Sequence, residues 1–136
     1  MNLQYDEGFA RWAERFQDGF LANSYADYSL RTKCAILRAV VYVLRADGDI
    51  TRAKNKFFVD LAMKYAENGD PSMIDIALVE MDDDEMLKRL NTILGGRDNG
   101  KYLLGTLFKA AECDGTISDE SINTIYGIIK ATHNRK

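Results

Sequence analysis

The chain has 136 residues, of which 46% are hydrophobic and 29% are charged, and its formal net charge is -3. This length suits one domain with one hydrophobic core, and the composition excludes a disordered segment. The acidic balance argues against nucleic-acid binding, which needs a concentrated basic surface. No apolar run approaches the roughly 18 residues of a membrane span, so we expect no membrane insertion.

Two further features bear on the cellular compartment. The first residues, Met1 to Glu7, lack the basic start and the apolar stretch of a secretion signal, which predicts a cytoplasmic location. Cys34 and Cys113 lie in predicted helices, without a nearby cysteine or histidine. We interpret both as small buried hydrophobic residues, in preference to a disulfide or a zinc site.

The first half of the chain has apolar residues at helical spacing. An aromatic stripe predicts a first helix from about Tyr5 to Leu21, and its members are Phe9, Trp12, Ala13, Phe16 and Phe20. A second helix, from about Leu30 to Ala46, is apolar around most of its circumference and is therefore expected at the centre. A third helix begins at Thr51, and Asn68-Gly69 ends it.

The second half continues the helical pattern. Asp70-Pro71 opens a short fourth helix that reaches about Val79, and a fifth ends at Gly95-Gly96. The sixth runs from about Asn99 to Cys113 and the seventh from Ser118 to about His133. Because no segment favours a strand, we predict an all-α fold: a compact bundle of about seven helices, with residues 1–136 forming a single domain.

An acidic run from Asp82 to Glu85 precedes the fifth helix and resembles a metal site. Asp82 and Glu85 also have the spacing of a capping box, with Asp in the Ser/Thr role. Negative charge at a helix start is favoured by the helix dipole. We therefore interpret the run as a helix cap.

One loop occurs twice, sixty-seven residues apart, as Ala46-Asp47-Gly48-Asp49-Ile50-Thr51 and Cys113-Asp114-Gly115-Thr116-Ile117-Ser118. Sliding the sequence by that interval also aligns apolar positions on both sides, for example Leu37 with Leu104 and Leu61 with Ile128. This pattern predicts two pseudo-repeated helix-loop-helix units that pack their apolar stripes against each other.

Most residues of the two loops have a structural interpretation. The glycines, Gly48 and Gly115, suit the positive φ that ends a helix, and Thr51 and Ser118 suit the cap of the next helix. The isoleucines, Ile50 and Ile117, are expected to pack back onto the core. The aspartates are the residues this interpretation explains least, although Asp also favours turns.

The alternative is a divalent-cation site, because carboxylate oxygens are the ligands that Ca²⁺ and Mg²⁺ prefer. The candidate metal ligands are Asp47, Asp49, Asp114 and Glu120. An EF-hand does not fit, since aligning Gly48 with its central glycine places Val43 first and Lys54 at the bidentate glutamate. A metal site would need carboxylates from both loops, brought together by the pseudo-symmetry.

The pattern Ala-Asp-Gly-x-Ile-Ser/Thr-x-x-Glu, which reads Ala46-Asp47-Gly48-Asp49-Ile50-Thr51 in the first copy and Glu112-Cys113-Asp114-Gly115-Thr116-Ile117-Ser118-Asp119-Glu120 in the second, resembles the TerB-like tellurite-resistance family. The resemblance covers the chain from about Leu30 to its end. It implies a compact, mostly seven-helix domain, and founding members of the family are linked to tellurite resistance, phage and colicin defence and stress signalling. It also implies that acidic residues of the two loops bind a divalent metal ion. Members of the family often act within larger assemblies near the inner membrane.

This chain departs from the family pattern after the first loop, where Ala53-Lys54 replaces the glutamate. A lysine is expected to lower metal affinity there, so the second loop is the better candidate. Three hypotheses follow: a metal-binding TerB-like accessory domain, a metal-free protein-interaction module, and an enzyme. The enzyme is the weakest, because the only histidine, His133, lies near the chain end and no recognisable triad is present.

We therefore expect other proteins as partners. The family resemblance also implies peripheral association with a membrane complex.

Overall fold

The computed structural model of the chain describes residues 28–66, 72–95 and 99–133. Six helices occupy these ranges: α1 Leu30–Leu44, α2 Arg52–Tyr65, α3 Ser72–Glu80, α4 Asp83–Leu94, α5 Asn99–Ala111 and α6 Asp119–His133. No strand occurs in the described ranges, so the predicted all-α class is confirmed there. The predicted helix at residues 5–21 and the predicted boundary at 68–71 lie outside the described residues.

Helix α1 lies at the centre of the bundle, as its sequence predicts. Nine of its residues are buried, and Ile36, Leu37 and Val40 are fully inaccessible to solvent. All five other described helices pack against α1. A helix with apolar residues around most of its circumference needs neighbours on every side, and this requirement explains its position.

The outer helices differ in how many neighbours they have. Helices α4, α5 and α6 pack against one another as well as against α1, whereas α2 and α3 have α1 as their main neighbour. The core is therefore continuous on the α4–α6 side. Helices α2 and α3 leave apolar side chains exposed, which are Val59, Met63, Met73, Ile76 and Val79.

Side-chain caps begin several helices. The Ser29 hydroxyl accepts a hydrogen bond from the Thr32 amide at 3.2 Å, and Asp82 accepts one from the Glu85 amide at 2.8 Å. Each cap satisfies an amide that has no partner inside the helix. The predicted role of Asp82 as a cap is confirmed, whereas the Glu85 side chain turns towards α1.

Arginines of α1 bind the acidic start of α4. Glu85 receives two hydrogen bonds from Arg31, at 2.5 and 2.7 Å, and one from Arg89 at 2.8 Å. Asp83 accepts hydrogen bonds from Arg38 at 2.7 and 3.0 Å and from the Tyr42 hydroxyl at 2.6 Å. The acidic run thus ties α4 to α1 through charge-assisted hydrogen bonds.

Two other expectations concern apolar segments and thiols. Across the described ranges, none of the helices combines the length and apolar character required to cross a membrane. Both cysteines are free; Cys34 is completely buried, as predicted, and Cys113 is half-buried. Burial raises the pKa of both thiols.

The Glu85 cluster predicts acid sensitivity. Hydrogen bonds from Arg31, and then from Arg89, lower the pKa of Glu85 from 4.5 to about 2. Because the folded-state pKa is lowered, the ionised carboxylate stabilises the fold fully above pH 4.5, and this stabilisation is lost as the pH falls towards 2. Glu85→Gln should therefore cost about 1 kcal/mol at neutral pH, a value discounted for partial exposure, and progressively less in acid.

Urea unfolding of both proteins between neutral pH and a pH of about 3 measures this difference. Asp84→Asn is the matched control, since Asp84 and Lys88 form an exposed pair on the same helix. A Glu85→Gln deficit that does not change with pH would contradict the assignment.

Candidate functional site

The two Asp-Gly loops have the same local hydrogen bonds. The Gly48 amide donates to the Arg45 carbonyl at 3.3 Å, and the Gly115 amide donates to the Glu112 carbonyl at 2.9 Å. Both glycines have positive φ, 130° and 96°, as the sequence predicts. A Cβ at either position would have no atom within 4 Å, so backbone conformation and not lack of space requires glycine.

Both loops also end in the predicted hydroxyl cap. Thr51 Oγ1 accepts a hydrogen bond from the Lys54 amide at 3.2 Å, and Ser118 Oγ accepts one from the Ser121 amide at 3.1 Å. These equivalent bonds show that each loop is built by residues close to it in sequence. The two loops therefore have the same local hydrogen-bonding pattern.

The isoleucines behave differently in the two loops. Ile117 packs against the core, as predicted, but Ile50 is 40% exposed, so the prediction that it packs back onto the core is wrong. The reason is the number of neighbours: α6 packs against three helices, whereas α2 has α1 as its main neighbour. Ile50 therefore has less apolar surface within reach.

A buried ammonium group dominates the first loop. Lys54 is only 5% exposed, and its Nζ lies 2.5 Å from Asp47 Oδ1. The hydrogen bond from Lys54 and, to a smaller degree, the nearby Ser118 hydroxyl hold the pKa of Asp47 below its ordinary value. A buried lysine is stable only when its charge is compensated, and Asp47 supplies the compensating charge.

The two loops come close together in space. The Ser118 hydroxyl of the second loop lies close enough to Asp47 of the first loop to lower the pKa of that carboxyl. The Cys113 thiol, whose pKa is raised first by burial and then by Asp114, also experiences the charges of Lys54 and Asp47. The packing of the helices thus brings Asp47, Lys54, Cys113 and Ser118 into one neighbourhood.

The second loop has different chemistry at the position equivalent to Lys54. Ser121 stands there, 2% exposed, and it accepts a hydrogen bond from the Ser118 hydroxyl at 2.9 Å. Asp114, the equivalent of Asp47, is exposed. A neutral hydroxyl pair therefore replaces the ion pair of the first loop.

The four predicted metal ligands have different environments. All four are exposed, but Asp47 is paired with Lys54, whereas Asp49, Asp114 and Glu120 form no ion pair with a described residue. Within the ranges that the structure describes, no group of three or more His, Cys, Asp or Glu side chains is arranged to hold a metal ion. Metal binding at these residues stays a prediction.

The burial of Lys54 has a signal in the sequence that lies in helix α2 and not in the loop. Lys54 lies at helical spacing from Phe58, Leu61 and Tyr65, which form the apolar stripe of α2. A lysine within an apolar stripe predicts burial and hence a carboxylate partner. The register of the loop then places Asp47 as the nearest candidate.

A second feature is an open groove beside α2. Its volume is about 440 Å³, and we call it the α2–α5 groove; it is lined by Phe57, Asp60, Leu61, Met63, Lys64 and Lys109. Asp60 pairs with Lys56 at 2.6 Å. No carboxylate among the described residues forms an ion pair with Lys64 or Lys109. The groove therefore combines an apolar floor with two available cations.

Comparison with known proteins adds no relative: no family model, no curated protein and no solved structure matches the chain.

Because only the first loop holds an ion pair, we expect replacement of its aspartate by alanine to destabilise the protein more than the same replacement in the second loop. Asp47→Ala leaves the buried Lys54 ammonium without its partner, so it should lower the free energy of unfolding by about 2 to 3 kcal/mol, a value reduced because Asp47 is partly exposed. Asp114→Ala, the matched control, should change it by less than about 0.5 kcal/mol. Urea unfolding measures both values.

The double variant Asp47→Ala with Lys54→Met should recover much of the loss, because it also removes the unpaired charge. Equal losses in the two loops would contradict this account.

Proposed function

We propose that this chain is a non-enzymatic protein-interaction module that works without a bound metal ion. The observation that carries the proposal is the buried Lys54 ammonium at 2.5 Å from Asp47. The ammonium neutralises that carboxylate and repels a second cation near the first loop. The charge that a divalent ion would supply is therefore provided by the chain itself.

The α2–α5 groove supports a partner of particular chemistry. Phe57, Leu61 and Met63 offer apolar contact, and methionine side chains adapt to different partner shapes. Lys64 and Lys109 border this surface in a chain whose net charge is negative. We propose that the groove binds a protein segment that presents apolar and acidic side chains together.

The cellular setting rests on the TerB-like resemblance of the loops. It supports a cytoplasmic module in a stress-response or tellurite-resistance assembly, including one associated peripherally with a membrane complex. The competing function is a divalent-cation site at the second loop. It is favoured by Asp49, Asp114 and Glu120, for which no ion pair exists among the described residues.

Ion titration separates the two functions. Millimolar Ca²⁺ or Mg²⁺ should shift neither the melting temperature nor the calorimetric signal beyond the change caused by KCl of equal ionic strength. KCl is the reference because any salt screens the charges of the protein, whether or not an ion binds. A specific shift that disappears in the Asp114→Asn, Glu120→Gln variant would overturn the metal-free proposal. The Asp75→Asn variant is the control, since Asp75 is an exposed acid of α3, away from both loops.

Photo-crosslinking in living cells tests the groove. A photoreactive residue at Met63 should form an adduct with another protein, and Lys64→Glu with Lys109→Glu should abolish it by reversing the charge of the rim. Arg52→Glu is the matched control, because Arg52 is exposed on the same helix and does not line the groove. Adducts that are absent, or that persist in the double variant, would contradict the proposed groove.

A further inference from the structure

A second pocket lies between the C-terminal end of α1 and helix α6. Its volume is about 440 Å³, and we call it the α1–α6 pocket; it is lined by Arg38, Val41, Tyr42, Arg45, Ala46 and Thr124. Binding sites for small organic molecules have volumes of about 300 to 1,000 Å³ and combine apolar walls with a few polar groups. The size and the lining of the α1–α6 pocket therefore suit a small molecule.

Four of the lining residues lie on one side of α1. Arg38, Val41, Tyr42 and Arg45 follow one another at the three- and four-residue intervals that place side chains on the same face of a helix. Arg45 is the C-terminal cap residue of α1, and Thr124 adds a hydroxyl group from α6. Two guanidinium groups, a hydroxyl group, an aromatic ring and an aliphatic side chain thus line one pocket.

The wall formed by Arg38 and Tyr42 is held in place by Asp83. Arg38 Nε and Nη2 donate to Asp83 Oδ1 at 3.0 and 2.7 Å, and the Tyr42 hydroxyl donates to the same oxygen at 2.6 Å. The guanidinium carbon of Arg38 lies 5.8 Å from the centre of the Tyr42 ring, within the range of a cation–π attraction. Because these side chains are already ordered, a ligand loses little affinity to their ordering.

Arg45 differs from the other arginines that begin or line α1. Arg31 and Arg38 pair with Glu85 and Asp83, whereas Arg45 is exposed and forms no ion pair with a described carboxylate. Asp83 compensates Arg38, so Arg45 gives the pocket one uncompensated positive charge. A guanidinium group binds a carboxylate or a phosphate through two parallel hydrogen bonds. The free charge therefore favours an oxyanion as the ligand group.

We propose that the α1–α6 pocket binds a small organic acid, which is a carboxylate or phosphate group joined to an apolar body. Arg45 and the Thr124 hydroxyl bind the oxyanion. Val41, Ala46 and the ring of Tyr42 contact the apolar body. The α1–α6 pocket and the α2–α5 groove share no lining residue, so either proposal can fail alone.

Nuclear magnetic resonance of the ¹⁵N-labelled chain, at constant ionic strength, measures binding of two probes, benzoate and phenyl phosphate. At least one of them should cause saturable shifts of the amides of Arg45, Ala46 and Thr124, and the tighter of the two identifies the preferred oxyanion. Benzamide has the ring without the charge, and inorganic phosphate has the charge without the ring. Each should bind at least about tenfold more weakly than the corresponding acid, because it lacks half of the recognised chemistry.

Substitution of Arg45 tests the assigned contact. Arg45→Gln should weaken binding of the tighter acid by at least about tenfold, and Arg45→Lys should lose less, because it keeps the charge without the two-pronged geometry. Arg52→Gln is the matched control, since Arg52 is an exposed arginine at the start of α2 that does not line the pocket. It should leave the affinity unchanged. Arg45 is exposed, so the variants should stay folded, which their amide spectra verify.

Four results would overturn the proposal. They are the absence of saturable shifts with both acids, equal binding of benzamide or inorganic phosphate, equal weakening by Arg52→Gln, and shifts that map to Lys64 and Lys109. The last result would assign the organic acid to the α2–α5 groove.

Discussion

The burial of most of α1 is the constraint on which the arrangement of the other helices depends. Its apolar residues leave no side that is suited to solvent, and each of the other described helices contacts it. Two arginines of α1 meet a carboxylate partner on α4: Arg31 pairs with Glu85 and Arg38 with Asp83. These pairs orient α4 against α1, while apolar burial supplies the larger stabilisation.

The two Asp-Gly loops show how position in the bundle changes the chemistry of residues at matching positions. The two loops share their turn, their glycine conformation and their hydroxyl cap. Yet one holds a buried ion pair, Lys54 with Asp47, and the other a hydroxyl pair, Ser118 with Ser121. Helix α2, which follows the first loop, has fewer neighbouring helices than α6, which follows the second, and Ile50 is correspondingly more exposed.

Charge is neutralised internally at the places where the sequence is most acidic. The start of α4 is bound by arginines of α1, and Asp47 is bound by Lys54. The α2–α5 groove, by contrast, combines apolar side chains with two lysines that form no ion pair with a described carboxylate.

The sequence by itself determined the six described helices, the caps at Thr51, Asp82 and Ser118, and the two glycine turns. These features depend on hydrogen bonds between residues at most four positions apart, so the local pattern is sufficient to predict them. Tertiary structure alone decided that Glu85 binds Arg31, that Ile50 remains exposed and that Ser118 approaches Asp47. Those outcomes depend on which helices pack together, because burial and the distances between charges distant in sequence are set by neighbours that no local pattern specifies.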